Sequence, residues 1–210
     1  GAMAKLHASE GRVKSGHAPG LTGRELCAYL LSGCDSDHES FTLEEGLDKL
    51  RRGMMLMIRE GATEHNLAEL APLVRENGAR SSRCMMVSDD LTARYLRDRG
   101  HMDEKIRLAI QEGISPLVAL RMVTLTPADY FGWKDRGAVA PGRIADMAAV
   151  DGLESCSVKK VWKRGRLVVS GGRLADGPVP RAAAPYAGPA RVAVPGAEAF
   201  RLPAQAGDRK

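Results

Sequence analysis

Short strand-like runs alternate with segments of helical periodicity along the first 125 residues of the chain. The strand-like runs occupy residues 11–16, 33–38, 54–59 and 84–88. Apolar residues recur with helical spacing over residues 21–32, 40–52, 66–77, 103–112 and 115–123. Short strands that are apolar on both faces are typical of parallel strands between helices. The pattern therefore predicts four βα units, arranged either as half of a (β/α)8 barrel or as a doubly wound sheet.

Several predicted helices begin with residues that favour a helix N-terminus. Thr22 precedes Glu25 by three positions and Thr42 precedes Glu45 in the same way, which predicts two capping boxes. Pro116 stands at the first position expected for its helix, where its missing N–H costs no hydrogen bond. These signals agree with helices that begin soon after each strand-like run.

A different pattern follows from residue 138 to residue 169. The segments IADMAAVD and VKKVWKRGRLVV read as strands, with a turn at residues 163–165. The basic side chains around Trp162 indicate either a patch that contacts phosphates or the charged outer face of an edge hairpin. In the second interpretation, the alternation directs the valines inward and the charges outward. The chain after residue 170 is rich in Pro, Ala and Gly, which predicts a linker or an irregular tail.

Polar side chains stand at the end of each of the four predicted strands. They are His17, then Asp37, His38 and Glu39, then Arg59 and Glu60, and finally Asp89 and Asp90. In a (β/α)8 barrel, the carboxyl ends of the strands form one mouth where the chemistry takes place. Two imidazoles and several carboxylates at that mouth predict a divalent-metal site. Such a metal activates water near neutral pH, and spare carboxylates move protons.

Each of these residues also has a structural interpretation. His17 alone could be a hydrogen-bonded structural histidine, and residues 37–39 could form a solvated loop with a helix cap. The two aspartates could cap the helix that follows them. The arginine could form an ion pair with the adjacent glutamate. The repeated placement of polar groups at the same end of each unit favours metal-assisted hydrolysis over these separate readings.

Composition narrows the class of protein. The net charge of +5 is spread along the chain and does not by itself indicate a nucleic-acid partner. No apolar run approaches the roughly 20 residues of a membrane span, so no membrane partner is expected. The four cysteines lack CxxC spacing, which indicates free thiols in a reducing cytoplasm. Aromatic residues make up only 4% of the chain, so aliphatic side chains and strand methionines are expected to fill the core.

Four short stretches occur in an order and spacing that resemble a known family. They are GHAPGL, DHES, MIREG and SDD, and the similarity extends over residues 4–169. The chain is similar to the adenine deaminases of the amidohydrolase superfamily. The resemblance implies an α/β fold: the C-terminal half of a metal-dependent (β/α)8 barrel, with part of a small β-domain. Strands five to eight would occupy residues 4–135, the β-domain residues 136–170, and a linker or tail residues 171–210.

The resemblance also implies roles for the residues at the strand ends. The implied reaction is hydrolysis of adenine to hypoxanthine and ammonia in purine salvage, with manganese or iron as a binuclear centre and zinc as an alternative. The implied metal ligands are His17, His38 and Asp89. The implied catalytic carboxylates are Asp89, Asp90 and Glu39. Arg59 and Glu60 would line the purine pocket.

The chain departs from the family pattern in ways that leave alternatives open. It contains no His-x-His sequence, which supplies two further metal ligands in the family, and barrel strands one to four have no counterpart. The chain is therefore expected to be an interior fragment whose open sheet edges favour a homo-oligomer or completion by another chain. Another amidohydrolase, acting on a related purine or cyclic amide, is one alternative. A non-catalytic binding or interaction fragment is the other.

Overall fold

The computed structural model describes residues 1–76, 82–177, 196 and 198. The chain forms two units, Gly1–Gly177 and Pro178–Lys210, and the fold below is that of the first unit. Residue 77, the last residue of the helix predicted over residues 66–77, lies outside the described residues. The predicted linker or tail lies outside them after residue 177, apart from residues 196 and 198.

The described part of the first unit alternates strands and helices before a final antiparallel sheet. The helices are α1 (Ala2–Ala8), α2 (Gly23–Leu31), α3 (Leu43–Arg51), α4 (Leu67–Glu76), α5 (Ala93–Arg99), α6 (Met102–Gln111), α7 (Pro116–Val123) and α8 (Leu125–Tyr130). The strands are β1 (Ser15–Gly16), β2 (Ser36–Asp37), β3 (Met55–Arg59), β4 (Cys84–Val87), β5 (Met147–Val150), β6 (Val158–Lys163), β7 (Arg166–Ser170) and β8 (Arg173–Leu174).

The predicted parallel sheet is confirmed. Strands β1 to β4 lie side by side in chain order, and each pairs with the next in parallel. Strands β1 and β2 are much shorter than the runs at residues 11–16 and 33–38 suggest, with two residues each. These runs contain Arg, Lys, Ser, Gly and Asp, which lack the continuous apolar surface of MLMIR in β3.

The two faces of the parallel sheet bury different sets of side chains. On one face, Leu56, Ile58 and Met86 join a large cluster with apolar residues of the surrounding helices, α3, α4, α6 and α7. On the other face, Met55, Met57 and Met85 form a smaller cluster with Val87 and Tyr130. The expected use of strand methionines as core filler is thus confirmed, and both faces of the sheet are covered by apolar groups.

The helix signals were only partly correct. The Thr42 hydroxyl accepts a hydrogen bond from the Glu45 amide at 3.2 Å, which is one of the two bonds of a capping box, whereas the Glu45 carboxylate accepts from the Phe41 amide. Thr22 makes no such bond, so the first predicted capping box is wrong. The interpretation of Asp89 and Asp90 as helix caps is also wrong, because Thr92 is the N-cap of α5 and its hydroxyl accepts from the Tyr95 amide.

The second sheet is antiparallel and runs in the order β5-β6-β7-β8. Its tight turn lies at the predicted position, where Arg164 and Gly165 have positive φ angles of 51° and 79°. Basic side chains of this sheet are paired: Lys163 contacts Asp146, and Arg166 contacts Asp176 at 2.8 Å. These ion pairs fit the edge-hairpin interpretation better than a phosphate-binding patch. Within the described residues, no helix combines the length and apolarity needed to cross a membrane.

Thiol accessibility offers a test of this burial pattern. Cys27 is exposed, whereas Cys34, Cys84 and Cys156 are buried. Burial raises the pKa of the Cys84 thiol to about 12, which keeps it protonated and unreactive at neutral pH. We expect a disulfide reagent to modify Cys27 alone in the native protein and all four cysteines after unfolding. Rapid modification of the native Cys27→Ser variant would contradict this arrangement.

Candidate metal centre

The carboxyl ends of the four parallel strands bring several of the predicted site residues together. His17 directly follows β1, and His38 and Glu39 directly follow β2. Arg59 is the last residue of β3, and Asp89 lies two residues beyond β4. These five residues form one continuous chain of contacts. Glu60 and Asp90, which are also predicted site residues, make their contacts elsewhere.

Two imidazoles and one carboxylate form a group that suits a metal ion. One ligand atom from each of His17, His38 and Glu39 lies within 4.8 Å of the others. The Glu39 Oε1 atom is 3.6 Å from Nδ1 of His17 and 3.4 Å from Nε2 of His38. The two imidazole rings meet edge to face, with their centroids 5.3 Å apart. Zinc, iron and manganese all accept imidazole nitrogen and carboxylate oxygen as ligands. These three residues therefore fit the predicted divalent metal ion.

Arg59 connects the carboxylate of this group to Asp89. Its Nη1 atom donates to Glu39 Oε1 and also to Asp89 Oδ2, the latter at 3.0 Å. Its Nε atom donates to Asn66 Oδ1 at 3.2 Å, which fixes the plane of the guanidinium. The side chains of Arg59 and Glu39 are only 5% and 10% exposed, so water screens their attraction weakly. In this geometry, Glu39 rather than Asp89 stands beside the two histidines.

Asp89 occupies an unusual backbone conformation. Its φ angle of 54° lies in the left-handed region that residues other than glycine seldom adopt. Its carboxylate contacts the buried guanidinium of Arg59 at 3.0 Å. A strained residue held by a buried charge at a strand end is a common feature of functional sites.

Glu60 and Asp90 both hold the loop that follows β3. Glu60 accepts from the Leu67 amide at 3.2 Å and lies 2.5 Å from Nδ1 of His65. The interpretation of Arg59 and Glu60 as a mutual ion pair is therefore wrong. Asp90 accepts from both the amide and the hydroxyl of Thr63. The hydroxyl bond from Thr63 holds the pKa of the Asp90 carboxyl below its usual value.

A buried ionic network behind the two histidines was not predicted. Lys49 and Asp37 are both 0% exposed, so the interpretation of Asp37 as part of a solvated loop is wrong. Burial alone raises the pKa of Asp37, but the hydrogen bond and charge of Lys49 outweigh it, and the pKa lies below its usual value. The one available signal was the spacing of Glu45 and Lys49, which are four residues apart on α3 and form an ion pair.

Comparison with known proteins identifies close relatives of the sequence. The chain is 46% identical to the adenine deaminase of Methanoregula boonei over 202 residues, which cover 96% of this chain and 34% of that protein. It is 44% identical to the adenine deaminase of Ligilactobacillus salivarius over 156 residues, which cover 74% of this chain and 27% of that protein. The chain spans about a third of the length of these curated relatives.

Solved structures agree on the fold. An enamidase of the amidohydrolase superfamily superposes with a TM-score of 0.55 at 17% identity, covering 77% of this chain and 47% of that chain. A β-aspartyl dipeptidase from Fervidobacterium islandicum AW-1 gives 0.51 at 22% identity, covering 63% and 37%. At these identities the likeness concerns the fold alone, and it indicates the (β/α)8 amidohydrolase fold. The amidohydrolase family model matches residues 2–168, and the chain therefore belongs to the amidohydrolase family.

Proposed function

We propose that this chain carries part of the metal-dependent active site of an adenine deaminase, which hydrolyses adenine to hypoxanthine and ammonia. The observation that carries this proposal is the group of His17, His38 and Glu39 at the carboxyl ends of parallel strands. The sequence identity to adenine deaminases supports the choice of substrate. A soluble purine is then the small-molecule partner, and purine salvage in the cytoplasm is the setting.

The described residues would hold a divalent cation through the imidazoles of His17 and His38 and the carboxylate of Glu39. We propose manganese or iron, with zinc as an alternative, because all three accept nitrogen and oxygen donors. When bound, such a cation supplies Lewis acidity that makes water a stronger nucleophile at neutral pH. Asp89 is proposed as a further ligand. In the structure, its carboxylate shares the Arg59 guanidinium with Glu39.

The carboxylates of this site would move the proton that the reaction requires. Water adds its oxygen to C6 of adenine, and the exocyclic amine leaves as ammonia, so a proton must pass from the water to that nitrogen. We propose that Glu39 and Asp89 carry out this transfer, with Asp90 as the third proposed carboxylate. Arg59 orients two of these groups through its guanidinium. We propose that Arg59 and Glu60 border the purine pocket.

We also propose that β1 to β4 correspond to strands five to eight of the barrel. In this proposal, residues 4–135 form the partial barrel, residues 136–170 belong to the small β-domain and residues 171–210 to the linker. The share of the relatives that this chain spans, about a third, agrees with a partial barrel, and the strand numbers rest on the sequence resemblance. The outer edges of β1 and β4 lack a strand partner among the described residues, so a second copy or another chain would complete the sheet.

Metal content and adenine hydrolysis measured on the same sample test this proposal. With manganese added, we expect bound metal, and release of ammonia from adenine where a second copy or another chain completes the barrel; both are lost in a His38→Ala variant. His7→Ala is the matched control, because His7 is an exposed histidine on α1, outside the proposed site. A metal-loaded chain that releases no ammonia from adenine would contradict catalysis by this chain. Turnover of guanine without adenine would contradict the choice of substrate.

A further inference from the structure

The ammonium group of Lys49 lies directly behind the two histidine-bearing segments. Lys49 is on α3 and its side chain is completely buried. Its Nζ atom donates to four oxygens at 2.6 to 3.0 Å: Asp37 Oδ2, Glu45 Oε1, Ser40 Oγ and the Ala18 carbonyl. An ammonium has three protons, so every one of them has a partner in this cage.

Three of the four acceptors of Lys49 belong to the two segments that carry the histidines, and the fourth, Glu45, lies on α3 with Lys49 itself. Ala18 follows His17 in the chain, and its amide donates to Asp37 Oδ1 at 2.7 Å. Asp37 precedes His38, and its other oxygen accepts from the Glu39 amide at 3.1 Å. The Lys49 ammonium and the Asp37 carboxylate thus contact the backbone next to all three candidate ligands.

Glu45 extends the same link further along both segments. Its Oε1 atom accepts from the Gly20 amide at 2.7 Å, three residues after His17. Its Oε2 atom accepts from the Phe41 amide at 3.2 Å, three residues after His38. The Lys49 ammonium lies 2.6 Å from this carboxylate. The network of Lys49, Asp37 and Glu45 therefore bonds to residues 18–20 after β1 and to residues 39–41 after β2.

The parallel sheet alone does not define the relative position of these segments. Strands β1 and β2 pair at only two positions, Ser15 with Ser36 and Gly16 with Asp37. The pairing stops immediately before each histidine. A buried ion pair is a poor source of net stability, because desolvation of the two charges offsets their attraction. Its directional hydrogen bonds can nevertheless fix the register of the groups that they join.

We propose that Lys49 is a positioning residue, whose ammonium group holds the segments after β1 and β2 so that His17, His38 and Glu39 converge on one metal ion. This inference rests on the proposed metal site. Metal ligands depend on the groups that orient them, and loss of such a group typically weakens metal binding by about 10- to 100-fold. Lys49 would act through Asp37 and Ala18, without touching the metal.

Lys49→Met tests the inference, because methionine retains much of the side-chain volume and removes the charge. Lys105→Met is the matched control: Lys105 is equally buried on α6, but its Nζ atom bonds to Tyr95 and Glu104. We expect Lys49→Met to weaken manganese binding in calorimetry by about 10- to 100-fold. Lys105→Met should bind as the wild type does, even if it loses as much stability. Equal affinity in all three proteins would overturn the inference.

A second readout separates this inference from the proposed metal site. Without metal, the imidazole proton resonances of His17 and His38 report the local conformation. We expect both to shift or broaden in Lys49→Met and to stay unchanged in Lys105→Met; unchanged resonances in both variants would overturn the inference. A wild-type chain that binds no manganese would contradict the proposed metal site but not the positioning role of Lys49. Ser40→Ala, which removes one acceptor of Lys49, provides a milder variant if Lys49→Met does not fold, with the same shifts expected.

Discussion

Replacement of Arg59 by methionine is expected to destabilise the metal-free protein by about 3 kcal/mol, because removal of one partner from a buried ion pair leaves an uncompensated charge. Arg59 is the cation between Glu39 and Asp89, and its side chain is 5% exposed. Without it, the Glu39 carboxylate, which is 10% exposed, loses its buried cation, and the more exposed Asp89 carboxylate loses the same partner. Chemical denaturation of the two proteins measures the difference in the free energy of unfolding.

Metal should partly rescue this variant. A divalent cation at the two histidines and Glu39 replaces the positive charge that Arg59 supplies, and a ligand that binds only the folded state stabilises it. Manganese is therefore expected to raise the stability of Arg59→Met by more than that of the wild type. Arg97→Met is the control, because Arg97 pairs with Asp98 on the surface and such pairs contribute at most about 1 kcal/mol. An Arg59→Met protein that is as stable as the wild type without metal would contradict this account.

The placement of polar side chains at the strand ends could be predicted from the sequence because it depends on order and spacing. His17, His38 and Arg59 each end or directly follow a strand of the parallel sheet, and the carboxyl ends of parallel strands share one edge. That topological rule brings the residues together without knowledge of any side-chain rotamer. The rule does not say which carboxylate stands next to which imidazole; the structure brings Glu39 beside both imidazoles, whereas Asp89 contacts Arg59.

The contacts of individual charged residues were less predictable. Lysine is rarely buried, and apart from the four-residue spacing of Glu45 and Lys49, nothing in the sequence around Lys49 indicates that it is the centre of an internal network. Its partners Ala18 and Asp37 are 31 and 12 positions away in the chain. The suggested pairing of Arg59 with Glu60 neglected the alternation of an extended chain, in which successive side chains point to opposite sides.

Helices α5 and α8 were absent from the sequence-based prediction for identifiable reasons. Helix α5 has no buried residue, so it lacks the apolar periodicity by which a helix is recognised. Helix α8 has only six residues and includes Pro127, which usually signals a break. In contrast, α4 and α6 bury a regular apolar face and were predicted close to their observed bounds.

Replacement of Gly16 by alanine should combine a loss of stability with a local change at His17. A Cβ atom at Gly16 would lie 2.3 Å from the Ser36 carbonyl oxygen in β2 and 2.6 Å from the hydroxyl of Tyr29. The carbonyl is backbone of the paired strand, so β1 and β2 would have to separate. We expect a loss of at least about 3 kcal/mol in the free energy of unfolding, at the upper end of the cost of overpacking.

The same methyl group would also displace the hydroxyl that holds the first histidine. The His17 amide donates to the Tyr29 hydroxyl at 2.9 Å, and this hydroxyl occupies the space that the new Cβ requires. Manganese binding should therefore fall even under conditions where Gly16→Ala remains folded. Gly152→Ala is the matched control, since the nearest atom to its added Cβ is 3.4 Å away, and we expect a change within about 0.5 kcal/mol. If Gly16→Ala behaved like Gly152→Ala in denaturation and in metal titration, the close approach of β1 to β2 next to His17 would be wrong, and with it the geometry of the proposed site.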